Sequence, residues 1–311
     1  MTAIRLFSRT ARGSVSSIGE SALIGCIRRW LGRASPRAPA GIGDDCAVLP
    51  PPRGRELLTV DPVVHGIHFD DRTPARAVAA KLFRRNLSDI AAMGGRPRAA
   101  VVALALDGRV SIAWLAEFYR GLASESMLRG VPVVGGDVAR LPGSFVATLA
   151  LTGEATGRIL ARAGSRAGDW IYVTGAVGRS VRTGHHYRFE PRLAEGAWLA
   201  RRKEVRAMID VSDGLAKDLA ALTPRGSAPA VFAGKLPRRA GATVREALCD
   251  GEDYELAFSV ASGAGGAALE KAWHRAFPRT KLTCIGRFVR AGAVPPDAIP
   301  LGRYRGYEHL R

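Results

Sequence analysis

Nine of the 28 acidic residues in this chain lie in six short segments that also contain glycine, serine or threonine. Most of these segments directly follow an apolar stretch that is typical of a buried strand. The six segments are residues 43–45, 59–61, 86–89, 135–137, 210–214 and 251–253. Aspartate beside glycine is common in ordinary turns, and for one segment alone a turn is the better interpretation. Six such segments in a chain with few acids favour a binding site instead.

Several carboxylates in one place repel one another and need cations to neutralise them. Oxygen ligands of this kind select hard cations, and Mg²⁺ is typically held by one or two carboxylates together with substrate phosphates. The sequence contains no Walker A motif, no G-x-G-x-x-G between a strand and a helix, and no kinase H-R-D or D-F-G motif. We therefore expect a polyphosphate to be held mainly through Mg²⁺, with glycine amides and scattered arginines assisting.

The composition limits the classes of partner. The 311 residues suffice for about two domains, and 47% hydrophobic with 24% charged residues excludes a disordered chain. The net charge of +18 would suit nucleic acid, an anionic membrane surface or anionic small molecules. However, the cations are spread along the chain and aromatic residues make up only 7%, unlike a basic stripe with interleaved aromatics. We expect no nucleic-acid partner, no membrane partner and no transmembrane helix.

Four cysteines lie far apart without a C-x-x-C motif, which is typical of free thiols in a reducing cytosol. We therefore expect a cytoplasmic protein. Residues 1–18 contain Arg5, Arg9 and Arg12, no acid and no apolar core segment. This stretch is predicted to be a disordered basic extension, with an organelle transit peptide as the alternative.

Glycine and proline positions predict short strands that alternate with helices. The strands are expected at residues 56–61, 99–107, 131–135, 144–154, 169–174, 208–211, 254–260 and 282–289, and the helices at 74–93, 111–129, 213–222 and 264–276. Because several strands are joined by turns too short for a crossover, the sheets should be mixed. Residues 32–43, 223–230 and 291–300 are predicted to be loops, and a domain boundary is expected near residues 156–168.

Motifs in these segments are individually weak and highly specific as an ordered set. They are Gly-Ile-Gly-Asp-Asp-Cys-Ala-Val-Leu at 41–49, Gly-Ile-His-Phe at 66–69, Asn-Leu-Ser-Asp-Ile-Ala-Ala-Met-Gly at 86–94, Gly-Gly-Asp at 135–137, Ile-Asp-Val-Ser-Asp-Gly-Leu at 209–215 and Gly-Glu-Asp-Tyr-Glu-Leu at 251–256. Gly-Asp-Trp at 168–170 and Gly-Tyr-Glu-His at 306–309 support them. The chain resembles the thiamine-monophosphate kinases of the aminoimidazole-ribonucleotide-synthetase-like superfamily from about residue 19 to its end.

The resemblance implies an α/β domain at residues 19–156, which binds ATP and Mg²⁺ and forms a homodimer, and an α+β domain at residues 157–311. It implies a phosphotransferase that moves the γ-phosphoryl group of ATP to thiamine monophosphate, giving thiamine diphosphate. By position, the residues that match ligands of several Mg²⁺ ions are Asp45, Thr59, Asp61, Asp89, Asp137, Asp210 and Asp213. Those that match ATP contacts are Tyr119, Gly136, Asp137, Arg162 and Ser212, and those that face the thiamine phosphate are His68, Glu252 and Tyr304.

The implied reaction needs no catalytic base. A phosphate monoester has a second pKa of about 6, so the acceptor is already largely dianionic at neutral pH. The transfer instead needs in-line positioning and neutralisation of two repelling anions, which Mg²⁺ supplies. Thiamine carries a cationic thiazolium ring, so Glu252 and the ring of Tyr304 are suitable neighbours by charge and cation–π attraction.

Several positions depart from the family pattern. Val60 stands where a threonine is usual, Pro62 follows Asp61, and Asp250 replaces a glycine. Arg84 and Arg85 replace small apolar residues before Asn86. The segments after Gly178 and after Leu222 are shorter than usual and border the thiamine side of the implied site.

These departures keep alternative hypotheses open. The chain could be a non-catalytic or substrate-shifted paralogue that keeps ATP and Mg²⁺, or another ATP-using member of the superfamily. A selenophosphate synthetase is disfavoured because Cys26 lies among arginines with no lysine near. At single positions, Asp89 could pair with Arg85 on one helix face, His68 could be structural, and Tyr304 could only close the end of the chain.

Overall fold

The computed structural model describes residues 4–263 and 266–308 in two compact units. The first unit comprises the chain up to Leu87 together with Pro97–Glu154, and the second comprises Ser88–Arg96 and the chain from Ala155 onwards. Residues 264–265 at the start of the last predicted helix and His309 of the terminal motif lie outside the described residues. In the described part, no helix has the length and apolar character that crossing a membrane requires.

The first unit is built on a four-stranded sheet. Its elements are α1 (Glu20–Leu31), β1 (Glu56–Val64), α2 (Ala75–Ala92), β2 (Gly95–Leu106), α3 (Ile112–Arg129), β3 (Val133–Arg140) and β4 (Phe145–Ala155). The end of α2 from Ser88, the first two residues of β2 and the last residue of β4 belong to the second unit. The strand order is β1-β4-β2-β3. Strand β1 pairs antiparallel with β4, and β2 pairs parallel with β3, so this sheet is mixed as predicted.

Alternation along the strands gives this sheet one packed face and one exposed face. On β1, Leu57 and Val63 are buried, whereas Leu58 and Val60 are 74% and 60% exposed. The buried side contains a cluster of aromatic rings from Phe69, Trp114, Phe118 and Phe145, with centroids 5.0–6.1 Å apart. These contacts hold α3 against the sheet.

The N-terminal segment differs from the predicted disordered extension. Residues 4–18 form two short 3-10 turns and lie along the loop between β2 and α3. The backbone N–H of Ser111 donates to Leu6 at 2.7 Å, and that of Val15 donates to Val110 at 2.9 Å. Leu6 and Val15 are buried, and burial of these two apolar side chains is the physical reason why the segment is ordered.

The second unit is built on a five-stranded sheet. Its further elements are β5 (Trp170–Thr174), α4 (Ser180–Thr183), α5 (His185–Arg188), α6 (Leu193–Leu199), β6 (Val205–Asp210), α7 (Leu215–Leu222), β7 (Ser227–Val231), α8 (Val244–Cys249), β8 (Leu256–Val260), α9 (Gly266–Ala276) and β9 (Leu282–Arg290). The strand order is β6-β8-β5-β9-β7, and every neighbouring pair is antiparallel, so this sheet is not mixed as predicted. Strand β7 lies where a loop was predicted, at the sheet edge, which tolerates its Pro229.

Both faces of this second sheet are covered. Ile171 and Val173 of β5 pack on one side with Leu219 of α7, and Tyr172 packs on the other side with Trp273 of α9. All five residues of β8 are buried, as expected for a strand enclosed on both faces. The loops at the strand ends are therefore anchored to a rigid layer.

Candidate functional site

A cavity of about 460 Å³ in the first unit brings together part of the predicted ATP and metal set. Asp45, Tyr119, Gly136 and Asp137 all line it. Asp45 lies in the exposed loop before β1, and the other three come from α3 and β3. Asp45 and Asp137 are more than 90 positions apart in the sequence, and the fold brings all four residues together beside β3.

Gly136 and Tyr119 shape this cavity in different ways. A β-carbon at Gly136 would overlap the carbonyl oxygen of Val102, so glycine is needed for β3 to run beside β2. Tyr119 is buried, and burial raises the pKa of its phenol, so the hydroxyl stays protonated. The Tyr119 ring lies 6.1 Å from the ring of Trp30. The cavity wall is thus close-packed and uncharged on this side.

Helix α1 forms another wall of the cavity and was missed by the sequence analysis. Glu20, Ile24 and Arg28 line the cavity. Leu23, Ile27 and Leu31 recur every four residues and are buried along one helix face. That spacing, together with an acid in the first turn and arginines in the last, is the signal that could have predicted the helix.

Two predicted metal ligands and one predicted substrate residue lie around β1. Thr59 and Asp61 are two residues apart and therefore share the packed face of the sheet. The Asp61 carboxylate lies 3.2 Å from Nε of Arg85, on α2. His68 lies in the turn after β1, where its Nδ1 accepts the backbone N–H of Val64 at 3.1 Å. His68 thus stabilises this turn.

The fold keeps Asp61 and Asp137 apart within one chain. Strands β1 and β3 are the two edges of the four-stranded sheet, about 14 Å apart at three strand spacings. Asp61 pairs with the buried Leu149, whereas Asp137 pairs with the exposed Ala103. The two carboxylates are therefore on different edges and next to different faces, too far apart to share one Mg²⁺ within the sheet.

In the second unit, three predicted ligands and Ser212 lie on α2 and on the loop that follows β6. Asp210 ends β6, is buried, and accepts a hydrogen bond from the Ser88 hydroxyl at 2.7 Å. Asp213 lies 2.8 Å from Nζ of Lys217. Asp89 is half-buried on the last turns of α2, one residue after Ser88.

Asp218 holds this loop in place and was not predicted. Its Oδ2 accepts the backbone N–H groups of Ser212 at 3.0 Å and of Asp213 at 3.1 Å. The carbonyl oxygen of Ser212 in turn accepts the backbone N–H of Glu252 at 2.7 Å. A backbone hydrogen bond therefore links a predicted ATP residue, Ser212, directly to a predicted substrate residue, Glu252.

The loop at 251–255 rests on two buried ion pairs. Asp253 accepts two hydrogen bonds from the Gly178 N–H and one from Arg239 at 3.0 Å. Glu255 accepts hydrogen bonds from Nε and Nη2 of Arg192, each at 2.7 Å. Glu252 itself has a φ of 53°, a strained conformation for a side chain of this size, and these pairs hold it there.

Two further predicted residues lie elsewhere on the second unit. Tyr304 is half-buried and lines a separate cavity of about 530 Å³ together with Lys217 and Arg305. Glu252 does not line that cavity. Arg162 is exposed on the loop before β5.

The donors fit Mg²⁺ only in combination with phosphate. Among residues 4–263 and 266–308, no three histidine, cysteine, aspartate or glutamate side chains lie close enough together to hold a metal ion by themselves. The predicted ligands are single carboxylates and one hydroxyl, all of them oxygen donors. Mg²⁺ is commonly bound by one or two carboxylates plus substrate phosphates, so this donor set fits ions that arrive with a polyphosphate.

The buried carboxyl of Asp218 gives a pH-dependent prediction. Burial, helped by the charge of Asp213, raises its pKa from 3.8 to about 7. Between these values the folded chain holds a proton that the unfolded chain releases, so this stabilisation is complete below pH 4 and lost as the pH rises through 7. Asp218→Asn should therefore gain stability relative to the wild type by up to about 1.4 kcal/mol per pH unit in this window.

Urea unfolding at pH 5, 6, 7 and 8 measures this difference. Asp297→Asn, at an exposed position in the same unit, is the control and should show a constant difference from the wild type. A constant difference for Asp218→Asn as well would contradict the raised pKa.

Known proteins resemble this chain over most of its length. The family profile described as AIR synthase related protein, N-terminal domain, matches residues 43–159. A thiamine-monophosphate kinase of Escherichia coli K12 is 34% identical over 310 residues, which cover 87% of this chain and 91% of the relative. The similarity therefore extends over both units.

Solved structures support the same fold. A thiamine-monophosphate kinase from Stenotrophomonas maltophilia K279a superposes with a TM-score of 0.72 at 30% identity, covering 88% of this chain and 95% of that one. The complex of AaThiL with AMPPCP and TMP superposes with a TM-score of 0.70 at 26% identity, covering 97% and 100%. The predicted fold class, mixed α/β followed by α+β in two units, is confirmed.

Proposed function

Since the chain belongs to the thiamine-monophosphate kinase family, we propose that it transfers the γ-phosphoryl group of ATP to thiamine monophosphate and releases thiamine diphosphate. The single observation that carries this proposal is the cavity of the first unit, where Asp45, Tyr119, Gly136 and Asp137 meet. The AMPPCP and TMP found in the related complex support both substrates.

We assign several Mg²⁺ ions to the carboxylates described above. Asp45 and Asp137 would bind Mg²⁺ at the cavity, and Thr59 and Asp61 would bind it on β1. In the second unit the ligands would be Asp89, Asp210 and Asp213. When bound, Mg²⁺ would neutralise charge on the transferring phosphoryl group. The protein contributes carboxylates in fixed positions. Ser88 holds the Asp210 side chain, and Asp218 holds the loop that carries Asp213.

ATP is proposed to contact Tyr119, Gly136, Asp137, Arg162 and Ser212. The buried phenol of Tyr119 offers a flat apolar surface, and the backbone at Gly136 can come close to a ligand because no side chain intervenes. Arg162 is exposed and can move to pair with a phosphate.

Thiamine monophosphate is proposed to lie against His68, Glu252 and Tyr304. Glu252 would attract the thiazolium cation, and its backbone link to Ser212 keeps the substrate residue in a fixed position relative to an ATP residue. No side chain has to remove a proton, because the acceptor phosphate is already an anion at neutral pH. These residues would instead position thiamine monophosphate and attract its charged groups.

A direct assay tests this function. The purified chain is incubated with ATP, Mg²⁺ and thiamine monophosphate, and thiamine diphosphate is quantified against a panel of other phosphate monoesters. Formation of thiamine diphosphate supports the proposal. A folded chain that uses another monoester better indicates a substrate-shifted paralogue, and one that binds ATP without any product indicates a non-catalytic one.

We also propose a homodimer through the exposed face of the first sheet. Leu58 and Val60 on β1 lie beside Thr152 and Ala150 on β4, and Val101 on β2 is exposed. A contiguous apolar sheet face is costly to leave in water. If two copies stack these faces about a two-fold axis along the strands, the β1 edge of one chain lies over the β3 edge of its partner. The strand edges that carry Asp61 and Asp137, which are kept apart in one chain, would then lie over each other.

Val60→Asp should break this dimer, because two carboxylates would be buried at the interface. In size-exclusion chromatography with light scattering, we expect the wild type at twice the chain mass and the variant at the chain mass. Leu128→Asp, at a position on α3 that is 68% exposed, is the matched control and should stay dimeric. A monomeric wild type would disprove the proposed interface.

We place the protein in the cytoplasm and propose no nucleic-acid partner. All four cysteines are free thiols, as expected in a reducing compartment. The excess positive charge is proposed to steer ATP and a phosphate monoester toward the protein.

A further inference from the structure

Building on the proposed function, we propose that Arg85 is a built-in cation at Asp61, which supplies positive charge that a divalent ion would otherwise supply there. Arg85 is a positioning residue in this scheme, because it acts through the Asp61 carboxylate. The consequence is weaker binding of a divalent ion at β1, so the chain depends less on Mg²⁺ in this part of the site.

The contact is formed between two packed elements. Asp61 is on the packed face of β1, and Arg85 is on α2. The guanidinium Nε lies 3.2 Å from Asp61 Oδ2, and Nη1 donates to the carbonyl oxygen of Pro62 at 2.7 Å. The side chain of Arg85 is 10% exposed and that of Asp61 is 25% exposed. The arginine is therefore held by two neighbouring groups of the same strand and largely shielded from water.

A second cation at a predicted ligand is held differently. Lys217 lies 2.8 Å from Asp213, but its side chain is 34% exposed. It also donates to the carbonyl oxygen of Tyr307 and lies 3.5 Å from Glu308. A lysine on a flexible stem with other partners can leave when a metal ion arrives, whereas a buried planar guanidinium cannot move away at low cost. Arg85 is thus the permanent cation of the two.

Both the position and the charge of Arg85 are permanent. A guanidinium stays protonated under all ordinary conditions, so no change of pH removes this charge. A divalent ion that binds Asp61 must approach the guanidinium within a few ångströms in a partly shielded site, where like charges repel more strongly than in water. Arg85 should therefore raise the concentration of divalent ion needed to fill this position.

Binding of Mn²⁺ to the full chain, followed by the electron paramagnetic resonance signal of free Mn²⁺, tests this role without turnover. Arg85→Gln keeps a polar side chain but removes the charge. It should lower the half-saturating Mn²⁺ concentration of the weakest site by about tenfold. Arg85→Lys, which keeps the charge, should stay within about twofold of the wild type.

Arg84→Gln is the matched control. Arg84 precedes Arg85 on α2 and is also mostly buried, but it pairs with Glu125, which is not a predicted ligand. Its Mn²⁺ binding should equal that of the wild type. Circular dichroism establishes whether each variant folds. If Arg85→Gln does not fold, Arg85→Lys decides the question. Tighter Mn²⁺ binding by Arg85→Lys would overturn the role of charge, whereas unchanged Mn²⁺ binding would support it.

The outcomes separate this role from the proposed function. If Arg85→Gln binds Mn²⁺ no more tightly than Arg84→Gln, or binds it more weakly, the role of Arg85 is wrong even in an active enzyme. If Mn²⁺ binding tightens but the wild type forms no thiamine diphosphate, the role of Arg85 holds and the proposed function fails.

Discussion

Replacing Asp89 by asparagine should abolish most of the formation of thiamine diphosphate while the chain stays folded. Asparagine has nearly the same shape, so α2 keeps its packing, but the position loses the negative charge that is proposed to bind Mg²⁺. A metal ion contributes several kcal/mol to phosphoryl transfer, and we expect kcat/KM to fall at least about 100-fold. The measurement is the initial rate as a function of thiamine monophosphate concentration at saturating ATP and Mg²⁺, with circular dichroism to establish folding.

Asp297→Asn serves as the control for Asp89. Asp297 is exposed in the second unit and belongs to none of the six acidic segments. Its activity should equal that of the wild type. If Asp89→Asn keeps more than a tenth of the wild-type rate, Asp89 is not a metal ligand, and its pairing on the helix face becomes the better interpretation.

Arg192→Met should strongly destabilise the second unit. Arg192 makes two hydrogen bonds of 2.7 Å to Glu255, whose side chain is 3% exposed and also accepts from Thr174. Removing the guanidinium leaves a buried carboxylate without its cation, which costs about 3–5 kcal/mol. The unfolding transition of this unit, followed by urea or heat, should shift accordingly.

Two further variants separate loss of charge pairing from loss of packing. Arg192→Met/Glu255→Met removes both charges and should recover most of the lost stability, because hydrophobic side chains of similar volume can replace a buried pair. Arg201→Met, at a nearby exposed arginine, should change the free energy of unfolding by no more than about 0.5 kcal/mol. Equal stability of Arg192→Met and Arg201→Met would show that the pair contributes little.

Most elements could be predicted from local patterns, and the exceptions have local causes. Residues 227–231 form β7 although Pro229 and the preceding turn residues favour a loop, because an edge strand needs only one hydrogen-bonded side. Helix α1 was not predicted, although Leu23, Ile27 and Leu31 already show its apolar spacing. Residues 4–18 are ordered by a few buried side chains and by backbone hydrogen bonds to the loop between β2 and α3, a signal too weak to predict from composition.

Asp61 and Asp137 were expected at strand ends but lie within β1 and β3, which extend past them. For the candidate site, the sequence was nevertheless enough to predict the family, the acidic positions and the place of Asp210 at the end of β6. These features depend on residue type and short-range order, which motifs record directly. The partners of those acids, by contrast, become visible only in the folded chain. Ser88 and Asp210 are 122 residues apart, and Arg85 reaches Asp61 from a different element. Such contacts depend on which helix packs on which strand, and that packing is decided by burial of distant apolar faces rather than by any local pattern.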